Sequence, residues 1–315
     1  AMVDGSFVYA SEIKSILEYP KYKKKFNHKA LDNYLSFQYV VPPETFFEGI
    51  YCLLPGHYLW YRDGKVTTTR YFEATFKPDE SLTLDKAVDE IEAVFEDSVN
   101  AHKISDVEVG CFLSSGVDSS YVSTYFADQK TFTVGFDFGD HYNEISWAKR
   151  LSEKIGVDHH TKLIGSDEFW GAVPKVQYQM DQPLADPSCI ALYFVSKLAS
   201  KYVKVVLSGE GADELFGGYT VYNEPHVFKL YQKIFNQKAR TALANKARKM
   251  PHIKGRGFIL RGERVTEEKF IGNAFLFDDK EKDEILKDTS ITITSDGATN
   301  HTFNLSGWQQ SVDKT

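Results

Sequence analysis

Between residues 107 and 207 short apolar runs alternate with helical stretches, and this alternation constrains the fold more than any other feature of the chain. Val107–Leu113, Thr131–Phe136, His160–Ile164 and Val203–Leu207 are expected strands. The first and last are mostly apolar and partly β-branched, as strands of a parallel sheet covered on both faces tend to be. Helices are expected over Leu84–Ala101, Tyr121–Ala127, Glu144–Ile155, Ser166 to Met180 and Ser188 to Lys201. Asn143 is the expected N-cap of the third, and Gly156 ends it. The Leu84–Ala101 helix carries Leu84, Ala87, Val88, Ile91, Val94, Phe95 and Val99 on one side, the pattern of a packed amphipathic helix. Strands and helices in alternation imply an α/β fold with a doubly wound parallel sheet. Ligands of such sheets bind beyond the carboxyl ends of the strands.

Two strand ends are chemically distinctive. After the first strand comes Ser114-Ser115-Gly116-Val117-Asp118-Ser119-Ser120. Small side chains let a phosphate approach the backbone, and N–H groups ahead of a helix favour an anion. Asp118 would repel a polyphosphate unless a cation sits between them, which makes it a candidate Mg²⁺ ligand. No Gly-Lys-Ser/Thr follows, so this is not a Walker-type loop. The bland alternative is a turn whose Ser and Asp merely cap a helix. After the fourth strand comes Ser208-Gly209-Glu210-Gly211-Ala212-Asp213-Glu214-Leu215-Phe216-Gly217-Gly218-Tyr219. Its glycines permit close ligand approach, and its three carboxylates suit a Mg²⁺ site or a cationic reaction centre. An acidic, solvated helix start is the competing reading.

The rest of the chain bounds the setting. With 315 residues, two domains are expected, and 42% hydrophobic with 14% aromatic residues is enough for packed cores. Residues 1–76 read as β-rich: a strand at Phe7–Ala10, a short helix capped by Ser11, a second helix at Leu31–Tyr39, then strands at Tyr51–Leu54, Gly56–Trp60 and Val66–Tyr71. Arg62-Asp63-Gly64-Lys65 is the hairpin turn between the last two. A polar linker at 77–83 separates this part from 84–315. The net charge of -7 argues against an extended nucleic-acid surface. Cys52, Cys111 and Cys189 are scattered and odd in number, which fits reduced thiols in the cytoplasm. No apolar run is long enough to span a bilayer.

Together these stretches resemble glutamine-dependent asparagine synthetase. Ser-Glu-Ile-Lys at 11–14, Leu-Pro-Gly-His-Tyr at 54–58 and Arg70-Tyr71-Phe72 are similar to the tail of that family's glutaminase domain, of the N-terminal nucleophile type. Ser114 to Ser120 is similar to the pyrophosphatase loop (PP-loop) pattern Ser-Gly-Gly-x-Asp-Ser, with Ser115 in place of the first Gly. Val134-Gly135-Phe136, Tyr142-Asn143-Glu144, Asp186-Pro187-Ser188 and Ser208 to Tyr219 resemble the synthetase domain, a Rossmann-like PP-loop fold. The resemblance implies ATP and Mg²⁺ as cofactors, and aspartate with ammonia from glutamine as substrates. Aspartate would become β-aspartyl-AMP, and ammonia would displace AMP. By the same resemblance Ser114, Ser115, Gly116, Ser119 and Ser120 bind pyrophosphate, and Asp118 and Asp213 hold Mg²⁺. Leu113, Val134, Gly135, Ser208 and Gly209 would line the adenosine side. Glu210, expected to be buried, would act as general base. Asp186 and Ser188 are candidates for the aspartate pocket, or else part of a Pro-rich turn with Ser188 as N-cap.

The family's glutaminase needs a Cys directly after the initiator Met. Residue 2 is Met, so no glutaminase activity is expected of this chain, which resembles an internal fragment lacking the family's distal helical portion. A homodimer is compatible with this reading; nucleic-acid and membrane partners are not expected. A β-lactam synthetase-like cyclase using the same adenylation, and an inert nucleotide-binding module, are the competing functions. Three further features have plainer readings. His159-His160 is expected to be a solvated or strand-edge pair rather than a metal site. The basic residues between Lys233 and Arg264 are expected on an exposed helical face. Asp278–Asp288 is an expected surface helix, and Ile291–Thr315 a flexible end.

Overall fold

The computed structural model describes residues 1–126, 129–139, 143–251, 253–265, 274, 276–277, 281–282 and 285–286. Tyr142, most of the 278–288 stretch and all of 291–315 lie outside the described residues. The chain forms two compact units. One comprises Ala1–Lys77, Asp181–Ala185 and the described part of Tyr219–Thr315; the other comprises Pro78–Met180 and Asp186–Gly218.

The second unit carries the parallel sheet. Its strands are β5 (Val109–Phe112), β6 (Lys130–Phe136), β7 (Asp158–Ile164) and β8 (Val205–Leu207), in the order β7-β6-β5-β8 with every pairing parallel. Between and around them run α3 (Leu84–His102), α4 (Val117–Ser123), α5 (Ile145–Ile155), α6 (Ser166–Gln179) and α7 (Ser188–Ala199), with α8 (Ala212–Phe216) after β8. Side-chain alternation divides the core. Val109, Cys111, Val205 and Leu207 join Phe95 and Val99 of α3 and Val122 of α4. Phe112, Val206, Phe132 and Val134 join Val195, Leu198 and Ala199 of α7. β5 and β8 are thus apolar on both faces and covered, whereas β6 turns buried Thr131 and Thr133 to the side opposite Phe132 and Val134. Burial pushes the Cys111 thiol up to about 12, so it is inert packing material. All three cysteines are free.

Three expectations change here. The helix after the first strand begins at Val117, not Tyr121, because the serine-rich turn itself winds into it: the Ser120 amide already reaches the Gly116 carbonyl at 3.1 Å. The apolar stripe of α3 packs only at its carboxyl half. Val99 is buried, whereas Leu84 is 80% exposed and Val94 69%, since the sheet cluster reaches back only as far as Phe95. The third strand is longer than expected; it lies at the sheet edge, so its two histidines are the expected strand-edge pair. The His159 Nδ1 lies 2.9 Å from Thr131 Oγ1 on β6, and His160 stacks on Tyr202 at 4.0 Å between ring centroids.

In the first unit the strands are short: β1 (Met2–Val3) pairs with β2 (Ser6–Phe7), and β3 (His57–Arg62) with β4 (Lys65–Arg70). The hairpin turn falls where expected, with Asp63 and Gly64 both at positive φ. Phe7–Ala10 is reduced to the end of β2, and Tyr51–Leu54 is irregular. The helix α1 (Ile13–Leu17) is not capped by Ser11. The Asp181 carboxylate accepts from the Ile13 and Lys14 amides and pairs with the Lys14 ammonium at 2.8 Å. Burial alone would raise the pKa of that carboxyl, but these donors hold it below the usual range. The second helix, α2 (His28–Phe37), starts at an Asn27 cap. After it come α9 (Glu224–Ile234), α10 (Gln237–Arg248) and α11 (Arg256–Arg261). The expected exposed basic face is interrupted. Arg240 is 5% exposed and donates to the carbonyls of Gln232, Phe235 and Glu263, tying together backbone that would otherwise be unsatisfied.

The His159 pair predicts a pH dependence. Its Nε2 is buried with no partner among the described residues, and desolvation lowers its pKa from the ordinary value. Below about pH 6.5 the unfolded chain takes up a proton that the folded chain resists, so this contribution to stability is lost as pH falls. The stability advantage of the wild type over His159→Gln should therefore shrink between about pH 7 and pH 5.5, measured by urea unfolding. A pH-independent difference would contradict this.

Candidate active site

β5 and β8 are hydrogen-bonded neighbours, with Val109 opposite Val205, Gly110 opposite Val206 and Cys111 opposite Leu207. The segments that leave them therefore emerge side by side at the carboxyl edge of the sheet. From β5 the chain moves to β6 and β7 on one side and returns to β8 on the other. That reversal of direction is the position at which open α/β sheets leave a crevice.

The first loop is anchored at its base. The Leu113 amide donates to the Phe132 carbonyl at 2.9 Å, the Leu113 carbonyl accepts from the Thr133 hydroxyl, and the side chain is buried. Beyond Leu113 the serines organise one another. The Ser114 amide donates to Ser119 Oγ at 3.0 Å, the Ser114 and Ser119 hydroxyls are 2.7 Å apart, and the Gly116 amide donates to Ser114 Oγ at 3.1 Å. The Ser119 and Ser120 hydroxyls both turn back to the Gly116 carbonyl. Ser115 is not among the residues at positive φ, so the loop holds its shape without a glycine there. Its amide donates to Glu144 Oε2 at 3.2 Å.

The second loop touches the first. A Cβ added to Gly209 would lie 2.8 Å from both the carbonyl carbon of Asp118 and the amide nitrogen of Ser119. Only a residue without a side chain lets these two backbones approach so closely. Ser208 and Gly209 are therefore brought to Asp118 and Ser119, 90 residues away in sequence. Glu210 follows directly on this loop, but it is exposed, contrary to the expected burial: only glycine and the helix α8 follow it, and neither covers it. Asp213 lies in the first turn of α8, its carboxylate over the Cα of Gly218, where a Cβ would be only 1.9 Å from Oδ1.

The remaining candidates sit elsewhere. Val134 is half-buried within the Phe132 cluster, and Gly135 is buried against Asn143 and Ile145. Asp186 takes the Ser188 amide at 2.9 Å just ahead of α7; the N-cap position is Pro187, and Ser188 is the first residue of the helix rather than its cap. Glu144 was not a candidate site residue. It stood in the sequence as the first residue of a helix, and only the fold brings it to the loop.

The donor set fits a hard cation. Asp118 is half-buried in the first turn of α4, and among the described residues nothing pairs with its carboxylate. The described residues hold no group of three or more His, Cys, Asp or Glu able to bind a metal alone. A Mg²⁺ here would have to take further oxygens from a ligand, as Mg²⁺ commonly does with phosphates.

Comparison with known proteins finds two families in the sequence. Residues 90–283 match the asparagine synthase family, and residues 1–72 match the glutamine amidotransferase domain family. The chain is 38% identical over 291 residues to the glutamine-hydrolyzing asparagine synthetase 1 of Bacillus subtilis (strain 168), covering 90% of this chain and 45% of that protein. It is 28% identical over 243 residues to asparagine synthetase 3 of the same organism, covering 71% of this chain and 39% of the relative. An amidase of Penicillium rubens, chyE, is 28% identical over 245 residues, covering 70% and 36%. The chain thus spans less than half the length of these relatives.

The contact between the two loops predicts a steric penalty. Gly209→Ala should destabilise the chain by about 1–3 kcal/mol, because the added methyl meets backbone rather than a yielding side chain. Denaturant unfolding checks this; an unchanged midpoint would show that the loops do not touch.

Proposed function

We propose, from the premise that this chain belongs to the asparagine synthase family, that it carries the adenylating centre for ATP-dependent conversion of aspartate to asparagine. In the intact enzyme the ammonia comes from glutamine. The fold is the doubly wound, PP-loop type of Rossmann-like sheet, with the glutaminase-type domain represented in part. The single observation that carries the reading is the contact of Gly209 with Asp118 and Ser119 at the carboxyl edge of the sheet. It joins a hydroxyl-lined loop and an acidic loop, and a polyphosphate with its cation needs both.

The chemistry runs in two steps. The side-chain carboxylate of aspartate attacks the α-phosphorus of ATP, the α–β bond breaks, and pyrophosphate leaves with the electron pair. Ammonia then attacks the β-acyl carbon of aspartyl-AMP, and AMP departs. Ser114 and Ser119 exchange their mutual hydrogen bond, and Ser120 its bond to the Gly116 carbonyl, for bonds to the pyrophosphate as its charge grows, aided by the Ser115 and Gly116 amides. Leu113, Val134, Gly135, Ser208 and Gly209 border the adenosine, with crowded Gly135 acting through backbone alone. Asp118 and Asp213 would hold Mg²⁺, which when bound neutralises the polyphosphate charge. Glu210, exposed beside the junction, would accept a proton from the attacking nitrogen. Asp186 and Ser188 remain candidates for the amino-acid pocket, although their mutual hydrogen bond already explains them as a helix start. Relatives named as asparagine synthetases favour aspartate over the acyl substrate of a β-lactam synthetase-like cyclase. Three free thiols support a reducing compartment, the cytoplasm. Among the described residues no helix is long and apolar enough to cross a membrane.

Aspartate-dependent exchange of labelled pyrophosphate into ATP, run with the intact enzyme, tests the two roles separately. Asp118→Ala should remove the exchange. Glu210→Ala should leave exchange measurable while lowering ammonia-dependent asparagine formation by about 10²–10⁴-fold. Full exchange in Asp118→Ala would overturn the assignment.

A further inference from the structure

The first loop offers three successive backbone amides, those of Ser114, Ser115 and Gly116. Two are satisfied by the loop's own serine hydroxyls, at 3.0 and 3.1 Å. The middle one is not: its acceptor is Glu144 Oε2, 29 residues further along the chain, at 3.2 Å. It is the one charged acceptor on these three amides. A carboxylate oxygen and a phosphate oxygen make the same demand on an amide, and both are anionic, so they exclude each other from it.

The backbone beneath Glu144 is fixed. Its carbonyl accepts from the Trp147 and Ala148 amides at 3.1 Å each, as the first turn of α5. The preceding Asn143 accepts from the Ile145 amide at 3.2 Å. The backbone of β6 presses on the same turn at Gly135, where an added Cβ would be 2.5 Å from Asn143 Oδ1. Only the side-chain torsions of Glu144 are therefore free to carry the carboxylate off the loop.

We propose that Glu144 is a positioning residue of the nucleotide site: its carboxylate occupies the Ser115 amide in the nucleotide-free state and is displaced by a phosphate oxygen on binding. The inference rests on the nucleotide reading of the loop given above and adds a built-in competitor to it. Binding of nucleotide then includes breaking a charge-assisted hydrogen bond, and the wild type binds more weakly than the loop alone allows. The same competition acts on pyrophosphate as product, and so favours its release.

The test is calorimetric binding of α,β-methylene-ATP with Mg²⁺, and of inorganic pyrophosphate with Mg²⁺, to the full chain. Glu144→Gln keeps the shape and an oxygen acceptor but loses the charge. It should bind both probes about three- to tenfold more tightly, since charged acceptors make roughly twice the bond of neutral ones. Glu144→Ala removes the acceptor altogether, and amide hydrogen exchange at Ser115 should then be faster than in the wild type without ligand and equal to it with ligand bound. If the wild type binds and Glu144→Gln binds equally or more weakly, the inference is overturned and the nucleotide reading stands. If neither protein binds either probe, both are overturned.

Discussion

The site depends on the pairing of β5 with β8. These two strands are far apart in sequence and adjacent in the sheet, in register over three residue pairs. That pairing sets the two loops at one edge, and the missing side chain of Gly209 lets them close to backbone contact. The arrangement is sterically exact at one point and permissive around it. Asp118, Glu210 and Asp213 project from short segments whose backbones are already fixed by the strands below and the helix starts beside them.

What holds the strands in register is burial on both faces. Cys111, Phe132 and Leu113 are almost fully removed from water, and β5 and β8 each contribute to the clusters on both sides of the sheet. A one-residue slip of β8 would exchange Val206 with its neighbours across the sheet and move Gly209 away from Asp118. The apolar core and the polar site are therefore not separable: the same register that buries the core assembles the loops.

Much of this was legible in the sequence, for identifiable reasons. β5 and β8 show because a doubly covered strand is apolar throughout, and the two loops show because small, hydroxylic or acidic residues at strand ends have few structural explanations. Other features were not legible. The sequence points to a start of α4 four residues late, because serines ordinarily disfavour helix interiors, whereas here Ser119 and Ser120 satisfy themselves on the Gly116 carbonyl. The stripe on α3 has the right period, but periodicity does not say how much of a helix has a sheet to lie on. The basic run around Arg240 looked solvated because composition does not show three carbonyls converging on one guanidinium. Glu144 shows in the sequence only as part of Tyr142-Asn143-Glu144, with no role attached, since its contact with Ser115 exists only after the fold has brought the start of α5 alongside the loop. The exposure of Glu210 likewise follows from the path of the chain after β8, which no local pattern encodes.

The central claim is that the two loops form one binding site. Hydrogen–deuterium exchange of the chain with and without an ATP analogue and Mg²⁺ tests it most directly, because exchange reports on each segment separately. The account predicts that ligand slows exchange together in residues 113–120 and 207–213, while the edge strand β7 is unchanged. Protection confined to one loop, or appearing only elsewhere in the chain, would contradict it.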